Sequence, residues 1–436
     1  MPGDDIVLHL DNASPVLPAA CGRPEARRWL LTRDFSLIWS SQILSQVADG
    51  VSKLALLWFV YSVTGSALKT TIIGLLQTLP AIVLGPVIGL TVDRLPKKAV
   101  LIGSDLARAL LIGLIPCLLS VERFTPGMLY LLTLGYGIAS AMFVPALSAS
   151  VPSLVDRSQY TAANALLQST TSIGIIAGPA LSGLGIAYAG SQEVLCLNAV
   201  TYAASALCLL PIRFSGSTGA MASRASAPGL IADLLAGLQY ALISRRAILV
   251  LILLASLYTF GAGAFTTLFP VYGRRLLHLG PIEVGYLWSW LGVGLLVASL
   301  GLIRLSSCNL DARLQVVTVS SALGGAALWG FVWAQDFLAA TLLTIVIGAG
   351  LGTWTPIAWS LVQELSPAPL LGRVMAIYTA VATGTAMAGM TFFGWMTEAF
   401  DESVSVVGIG MVLQVLAGAA YWFKRSLSRP AGRGMS

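Results

Sequence analysis

The stretch Gly89-Leu90-Thr91-Val92-Asp93-Arg94-Leu95-Pro96-Lys97-Lys98 lies at the junction of two apolar runs, 71–92 and 99–119. Each run is about as long as the ~20 residues that a helix needs to cross a bilayer. Charged residues between such runs have to reach water. A glycine one turn before an Asp-Arg pair therefore predicts that two membrane helices meet at a water-facing junction.

The composition indicates a membrane protein. Hydrophobic residues make up 56% of the 436 residues and charged residues only 10%, too few to cover the surface of a soluble protein of this length. We predict an all-α polytopic membrane protein with twelve transmembrane helices and no strands. The predicted spans are 37–63, 71–92, 99–119, 127–144, 165–189, 194–211, 248–272, 284–303, 314–332, 337–360, 374–395 and 404–423.

The distribution of Lys and Arg predicts the orientation. With both termini in the cytoplasm, 19 of the 25 basic residues fall on the cytoplasmic side and four fall outside. The net charge of +6 is then a topology signal, and we expect no nucleic-acid partner. The first span serves as its own insertion signal, so we expect a multi-pass protein of the cell (inner) membrane.

The chain divides at a small-residue, polar stretch, 214–229, which predicts a cytoplasmic linker. An amphipathic helix follows at 230–244. The predicted domains are an N-terminal tail (1–36), a six-helix bundle (37–212), the linker (213–246), a second six-helix bundle (247–423) and a C-terminal tail (424–436). Two parallel six-helix repeats are typical of transporters that work by alternating access.

The first motif resembles the loop 2–3 signature of the major facilitator superfamily, G-x-x-x-D-R-x-G-R-K. It matches at Gly89, Asp93, Arg94, Lys97 and Lys98, with Pro96 in place of the second glycine. That departure, together with the segments 100–111, 163–169 and 372–376, is similar to the branch that contains macrolide-efflux proteins and siderophore exporters. The resemblance covers about 34–423 and implies the major facilitator fold.

The resemblance implies that the loop 2–3 cluster latches the two halves on the cytoplasmic side and releases as they rock. Asp105 and Arg108, one turn apart in the third span, are expected to join this cluster. In physical terms, Gly89 permits close helix approach, and Lys97 and Lys98 hold the loop in the cytoplasm. The alternative is that these charges only set the topology.

The fifth span carries a second signature. Gly174, Gly178, Pro179 and Gly183 resemble the antiporter motif G-x8-G-x3-G-P-x2-G-G, with Ala165 and Ser182 at two glycine positions. A Gly-Pro step bends a helix, and small residues allow close packing. The resemblance implies export by antiport, and the alternative is an ordinary kinked packing helix.

The first span carries a polar stripe. Gln42, Ser45, Gln46, Asp49, Ser52 and Lys53 recur at a spacing of three to four residues. An acid near the middle of a span costs about 2.5–3.5 kcal/mol on insertion scales, so Asp49 is expected to face a cavity or a partner. Either Asp49 takes up and releases a proton during transport, or it forms a permanent pair with Lys53. Gln77 in the second span lines the same pathway or bonds between helices.

We therefore expect a secondary exporter, driven by proton antiport, of hydrophobic or amphipathic small molecules such as antibiotics. The alternatives are a siderophore or lysolipid exporter, and a non-transporting receptor or assembly factor on the same scaffold. No phosphate-binding loop is present to use ATP. The five cysteines and two histidines have no metal-binding spacing. We expect no cofactor, no metal and no enzymatic activity, and we favour a monomer whose partners are the substrate, the proton and the lipid bilayer.

Overall fold

A computed structural model describes residues 32–119, 125–155, 159–212, 246–303, 310–366 and 371–427. The predicted amphipathic helix at 230–244, and most of the linker and both tails, lie outside these ranges. The described residues form helices joined by short turns and no strand. Side chains cap several helix starts; Ser66 Oγ, for example, accepts from the Lys69 amide.

The helices are numbered here in chain order. The first half of the chain contains α1 (Arg33–Thr64), α2 (Ala67–Val83), α3 (Gly85–Arg94), α4 (Lys97–Leu119), α5 (Pro126–Ser150), α6 (Tyr160–Tyr188) and α7 (Ser191–Leu209). The second half contains α8 (Arg246–Arg275), α9 (Pro281–Ile303), α10 (Leu310–Val332), α11 (Phe337–Gly352), α12 (Trp354–Leu365), α13 (Leu371–Ala399) and α14 (Glu402–Leu427).

Eleven helical segments of the described chain are long and apolar enough to cross a membrane. One of them, Phe337–Leu365, combines α11 and α12. The second predicted span, 71–92, is divided between α2, which has 17 residues, and α3. Pro80 lies inside α2 and Pro86 at the start of α3, and proline cannot donate a helical hydrogen bond. This explains why the second span is broken where hydropathy alone predicts a continuous run.

Both halves use the same helix pairings. In the first half, α1 packs against α6, α2 against α5, and α4 against α7. In the second half, the corresponding pairs are α8 with α13, α9 with α11, and α10 with α14. Counted by predicted span, these are the first with the fifth, the second with the fourth and the third with the sixth in each half. The repeated pairing is what two copies of one six-span unit give.

The two halves meet mainly through α6 against α9 and α2 against α13. At one end, Arg275 donates to the Tyr61 hydroxyl and to the Gly65 carbonyl, both at 2.6 Å. Gly65 has a φ of 64°, which gives the tight turn between α1 and α2. Glu398 accepts from Ser66 Oγ at 3.1 Å. We call Tyr61, Gly65, Ser66, Arg275 and Glu398 the outer clamp, because the predicted orientation places them outside the cell.

At the opposite end, the helices pack within their own halves. The short helix α3 packs on α2, α4 and α5, and α12 packs on α8, α10, α11 and α13. Gly89 of α3 has no described atom within 4 Å of the position that a Cβ would take. The close approach predicted at Gly89 is therefore absent in this conformation, which is closed at the outer clamp.

Candidate functional site

Asp49 of α1 lies at the centre of a charged cluster between four helices. Its Oδ1 is 3.0 Å from Nη1 of Arg108, which belongs to α4. The hydroxyls of Tyr202 in α7 and Tyr136 in α5 donate to the same oxygen at 2.6 and 3.0 Å. The Asp49 side chain is 34% exposed, whereas its partner Arg108 is only 1% exposed.

Asp105 is the second carboxylate of the cluster, and it is fully buried. It bonds to Nη2 of Arg108 and accepts from the Ser205 hydroxyl at 2.6 Å. Arg108 is only 1% exposed and also donates to Ser45 Oγ at 2.9 Å. Two carboxylates therefore share one guanidinium, whose planar array of donors allows it to bond to both.

The placement of Asp105 and Arg108 corrects the prediction that they join the loop 2–3 charges. Both side chains point into the first half of the bundle, where they contact α1 and α7. Arg108 lies 4.5 Å from the ring centroid of Phe143 and 4.7 Å from that of Tyr202, within cation–π range. A charge within a span avoids lipid by bonding to partners inside the bundle, which is the physical reason for this placement.

The predicted Asp49–Lys53 pair is also wrong, because Arg108 occupies the position of the partner cation. Nζ of Lys53 lies over the Trp288 ring, 5.5 Å from its centroid. Trp288 belongs to α9, so Lys53 contacts the opposite half of the molecule. Asp49 and Lys53 are one turn apart on α1, but Asp49 contacts Arg108 of the same half and Lys53 contacts Trp288 of the opposite half.

The three glutamines of the predicted pathway occupy different environments. Gln42 is 2% exposed, and its Oε1 has no hydrogen-bond partner among the described residues. Gln77 is half-buried, and its Nε2 likewise has no partner in the described part of the chain. Gln46 is half-buried, and its backbone carbonyl faces α6. Of the predicted pathway residues, the structure brings Asp49 into the charged cluster, not the glutamines.

Helix α7 contributes polar residues to the cluster, of which sequence reasoning misses Tyr202 and Ser205. Asn198 donates to the Ala48 carbonyl at 3.1 Å, and Tyr202 and Ser205 bond to the two carboxylates. These three residues recur every three to four positions, so they form one polar stripe on α7. The helical spacing of these polar residues is a signal that the sequence contains. In the structure, this stripe faces the polar stripe of α1.

The glycines of the antiporter-like motif bring α1 and α6 into backbone contact. A Cβ at Gly178 would lie 2.6 Å from the Cα of Gly50, and a Cβ at Gly174 would meet the Gln46 carbonyl oxygen. Gly50 is the residue next to Asp49. The close packing predicted for these residues is present, and it fixes the part of α1 that carries the acid.

The remaining residues of this motif lie at the boundary between the halves. A Cβ at Gly183 would meet the Pro281 carbonyl oxygen, and the Pro179 carbonyl oxygen would lie 2.5 Å from a Cβ at Gly285. Both Pro281 and Gly285 belong to α9. Helix α6 therefore contacts the acid-bearing helix on one side and the opposite half on the other.

The loop 2–3 residues bond within their own half in this conformation. Lys98 Nζ donates to the carbonyls of Leu210 and Ile212, at 2.6 and 2.9 Å, just beyond the end of α7. Lys97 Nζ donates to the Val92 carbonyl at 2.5 Å. Cations near helix C-termini are favourable because of the helix dipole. Arg94 is exposed, and the side chain of Asp93 lies outside the described atoms.

The second half contributes an aromatic cavity of about 180 Å³. Its lining includes Tyr258, Trp354, Thr355, Trp359, Tyr378 and Thr379. The rings of Tyr258 and Trp354 lie 6.0 Å apart. Phe265 and Phe269, by contrast, are 1% exposed and pack in the core. The charged cluster thus lies in the first half and this aromatic cavity in the second.

Comparisons with known proteins assign the chain to a family. A family model described as transmembrane secretion effector, within the major facilitator superfamily, matches residues 29–429. The chain belongs to this family. Its membership and its helical structure confirm the predicted all-α polytopic membrane fold and the predicted multi-pass location in the cell membrane. The count of twelve membrane helices and the cytoplasmic side of the termini stay predictions.

Related proteins include macrolide efflux protein A of Streptococcus pyogenes, 24% identical over 79% of this chain and 84% of the relative. Multidrug efflux pump Tap of Mycolicibacterium fortuitum is 25% identical over 89% of this chain and 95% of the relative. Among solved structures, the nucleoside transporter NupG matches with a TM-score of 0.71 at 15% identity, over 91% of this chain and all of NupG. A bacterial homologue of ferroportin in an inward-facing state matches with a TM-score of 0.69 at 16% identity, over 92% of this chain and all of the homologue.

Proposed function

We propose that this protein is a proton-coupled secondary exporter of hydrophobic or amphipathic small molecules. The observation that carries the proposal is the cluster in which Asp49 and Asp105 share Arg108. With both acids ionised, the cluster holds one more negative than positive charge. An unbalanced charge inside a membrane protein is costly, so a proton is the natural counter-ion.

Asp49 is the acid to which we assign the proton. Asp105 is fully buried and held by Arg108 and Ser205, whereas Asp49 is 34% exposed. Proton exchange requires contact with water, and only the exposed carboxylate has it. Asp105 then serves to position Arg108.

The packing offers a route from the proton to the movement of the halves. Protonation of Asp49 weakens its pull on Arg108, Tyr136 and Tyr202, all of which bond to one oxygen. Helix α6 contacts α1 beside Asp49 and also contacts α9 of the other half. A small shift of α1 is therefore passed to the interface through a single helix.

The substrate class is supported by the cavity of the second half and by the relatives. Tyr258, Trp354 and Trp359 present an apolar surface suited to bulky, weakly polar molecules. Two relatives are named as efflux proteins, one for macrolides and one for multiple drugs. We extend these functions to this chain as part of the proposal.

The proposal is tested by proton-driven transport of radiolabelled erythromycin in proteoliposomes. Asp49→Asn is expected to lower gradient-driven transport at least tenfold, because the amide cannot take up a proton at neutral pH. A tenfold loss corresponds to about 1.4 kcal/mol. Exchange without a gradient at saturating erythromycin should persist, since the aromatic cavity remains and only the affinity for the erythromycin amine is reduced. Asp336→Asn is the matched control, because Asp336 is exposed and caps α11, a task that asparagine also performs. Full gradient-driven transport by Asp49→Asn would refute the coupling role.

A further inference from the structure

We propose that Asp49 and Lys53 form a two-point site for zwitterionic amphiphiles, in which Lys53 binds the anionic group and Asp49 binds the cationic group. This inference rests on the proposed exporter function and adds the charge pattern of its substrate. It starts from a lysine near the middle of α1 that the proton-coupling cluster does not use.

Lys53 has no ion pair with any described carboxylate, and its recorded contact is the ring of Trp288. The lysine side chain is exposed, whereas Trp288 is only 4% exposed and packs 5.5 Å from Phe269. Because a residue of the opposite half lies beside its ammonium, Lys53 faces the space between the halves. A lysine facing lipid at this depth would cost about 2.5–3.5 kcal/mol on insertion scales.

The position of Lys53 places it at the closed end of this space. Tyr61 of the outer clamp lies eight residues further along α1, which is about 12 Å at 1.5 Å per residue. Between them, the ring of Trp58 is covered by the Arg274 guanidinium at 5.4 Å. A molecule that enters from the end opposite the outer clamp would reach Asp49 first and Lys53 beyond it.

Among the described residues no ion pair joins Asp49 to Lys53, and Oδ1 of Asp49 bonds instead to Arg108, Tyr136 and Tyr202. Lys53 is thus available to a substrate anion, such as a carboxylate or a phosphate. Asp49, for its part, belongs to a cluster with one excess negative charge and keeps an exposed surface. It is available to a substrate cation.

The spacing of the two residues matches one molecule that carries both charges. Four residues of α-helix separate Asp49 from Lys53 by about 6 Å along the axis, and the lysine stem extends this distance. A substrate cation at Asp49 competes with the proton for the same carboxylate. Competition for one group is what proton antiport requires, whereas an anion alone would not compete. A zwitterion therefore satisfies both the geometry and the coupling.

The test measures binding at equilibrium to the full-length protein in lipid nanodiscs, with no proton gradient. The probe is ciprofloxacin, a fluorescent zwitterion, and fluorescence polarisation reports its binding. Its methyl ester keeps only the cation, and its N-acetyl derivative keeps only the anion. We expect the zwitterion to bind at least tenfold more tightly than either derivative, as one additional charge-assisted contact provides.

Variants separate the two points of the site. Lys53→Gln should weaken the zwitterion about tenfold and leave the methyl ester unchanged, while Lys53→Arg should restore zwitterion binding. Asp49→Asn should weaken the zwitterion and the methyl ester but not the N-acetyl derivative. Lys69→Gln is the control, because Lys69 is an exposed lysine at the start of α2.

Three results would overturn the two-point site: equal binding of all three probes, no measurable binding of the zwitterion, or equal loss of the zwitterion and the methyl ester in Lys53→Gln. The last result would indicate that Lys53 supports the structure only. Failure of the exporter proposal is distinguishable. In that case Asp49→Asn keeps full gradient-driven transport in proteoliposomes, while the protein in nanodiscs still binds the zwitterion more tightly than its two derivatives.

Discussion

Arg108 is the residue on which the charged cluster depends. It is 1% exposed and bonds to Asp49, Asp105 and Ser45. Removing it leaves two carboxylates close together without their shared cation. Like charges in a medium of low dielectric constant repel strongly, and each acid also loses its hydrogen bonds.

We therefore predict that Arg108→Gln lowers the free energy of unfolding by about 3–5 kcal/mol, as expected when one partner of a buried ion pair is removed. Thermal unfolding in detergent, followed by tryptophan fluorescence, measures the loss. Arg313→Gln is the matched control, because its pair with Glu364 is partly exposed, at 17% and 55%, and such pairs contribute about 0–1 kcal/mol. Equal losses in the two variants would contradict the central role of Arg108.

At this scale the sequence predicts the important acid but not its partner. Asp49 stands out in the sequence because an acidic side chain inside a membrane span is energetically costly and is usually functional. Helical spacing predicts Lys53 as its partner, because spacing reveals only neighbours on the same helix. Arg108 is 59 residues away in the chain, and its contact with Asp49 depends on how α1 and α4 each pack against α7. Tyr136 and Tyr202 were missed because an aromatic ring within a span does not reveal where its hydroxyl points.

At the scale of elements, α6 connects the charged cluster to the boundary between the halves. The small residues at positions 174 and 178 allow its backbone to touch α1 at Gln46 and Gly50. This contact could be predicted from the motif, since small residues spaced four apart are typical of closely packed membrane helices. The break between α2 and α3 was less predictable, because proline is tolerated inside many membrane helices.

We predict that Gly178→Ala reduces transport and destabilises the protein by about 1–3 kcal/mol, the usual cost of overpacking. The added methyl group would lie 2.6 Å from Gly50 Cα, so α1 and α6 have to separate beside Asp49. The matched control is Gly418→Ala in α14, where no atom of the described residues lies within 4 Å of the new Cβ. Alanine favours helix over glycine, so the control should be neutral or slightly more stable. Unchanged transport in Gly178→Ala would show that the close crossing is not required.

At the scale of the whole molecule, the structure matches one state of the predicted alternating-access cycle. The outer clamp joins the halves at one end, while α3 and α12 pack within their own halves at the other. Which end is closed cannot be read from the sequence, because both states have the same sequence and similar packing within each half. The loop 2–3 latch stays a prediction for the opposite state, in which Gly89 of α3 would approach another helix.

The outer clamp provides the test of this two-state description. Arg275 joins the halves through Tyr61 and Gly65, so Arg275→Gln removes contacts that only the closed outer end can make. Loss of about 1.5–3 kcal/mol of charge-assisted hydrogen bonding shifts the balance between two states roughly tenfold or more. Spin labels at positions 63 and 400 report the outer end, and labels at positions 95 and 363 report the other, both in a background without native cysteines. Electron–electron double resonance should show the outer distance increasing and the opposite distance decreasing in Arg275→Gln, with no change in Lys69→Gln. If the outer distance grew while the opposite distance stayed constant, the halves would not rock as rigid bodies and the clamp would be a local tether.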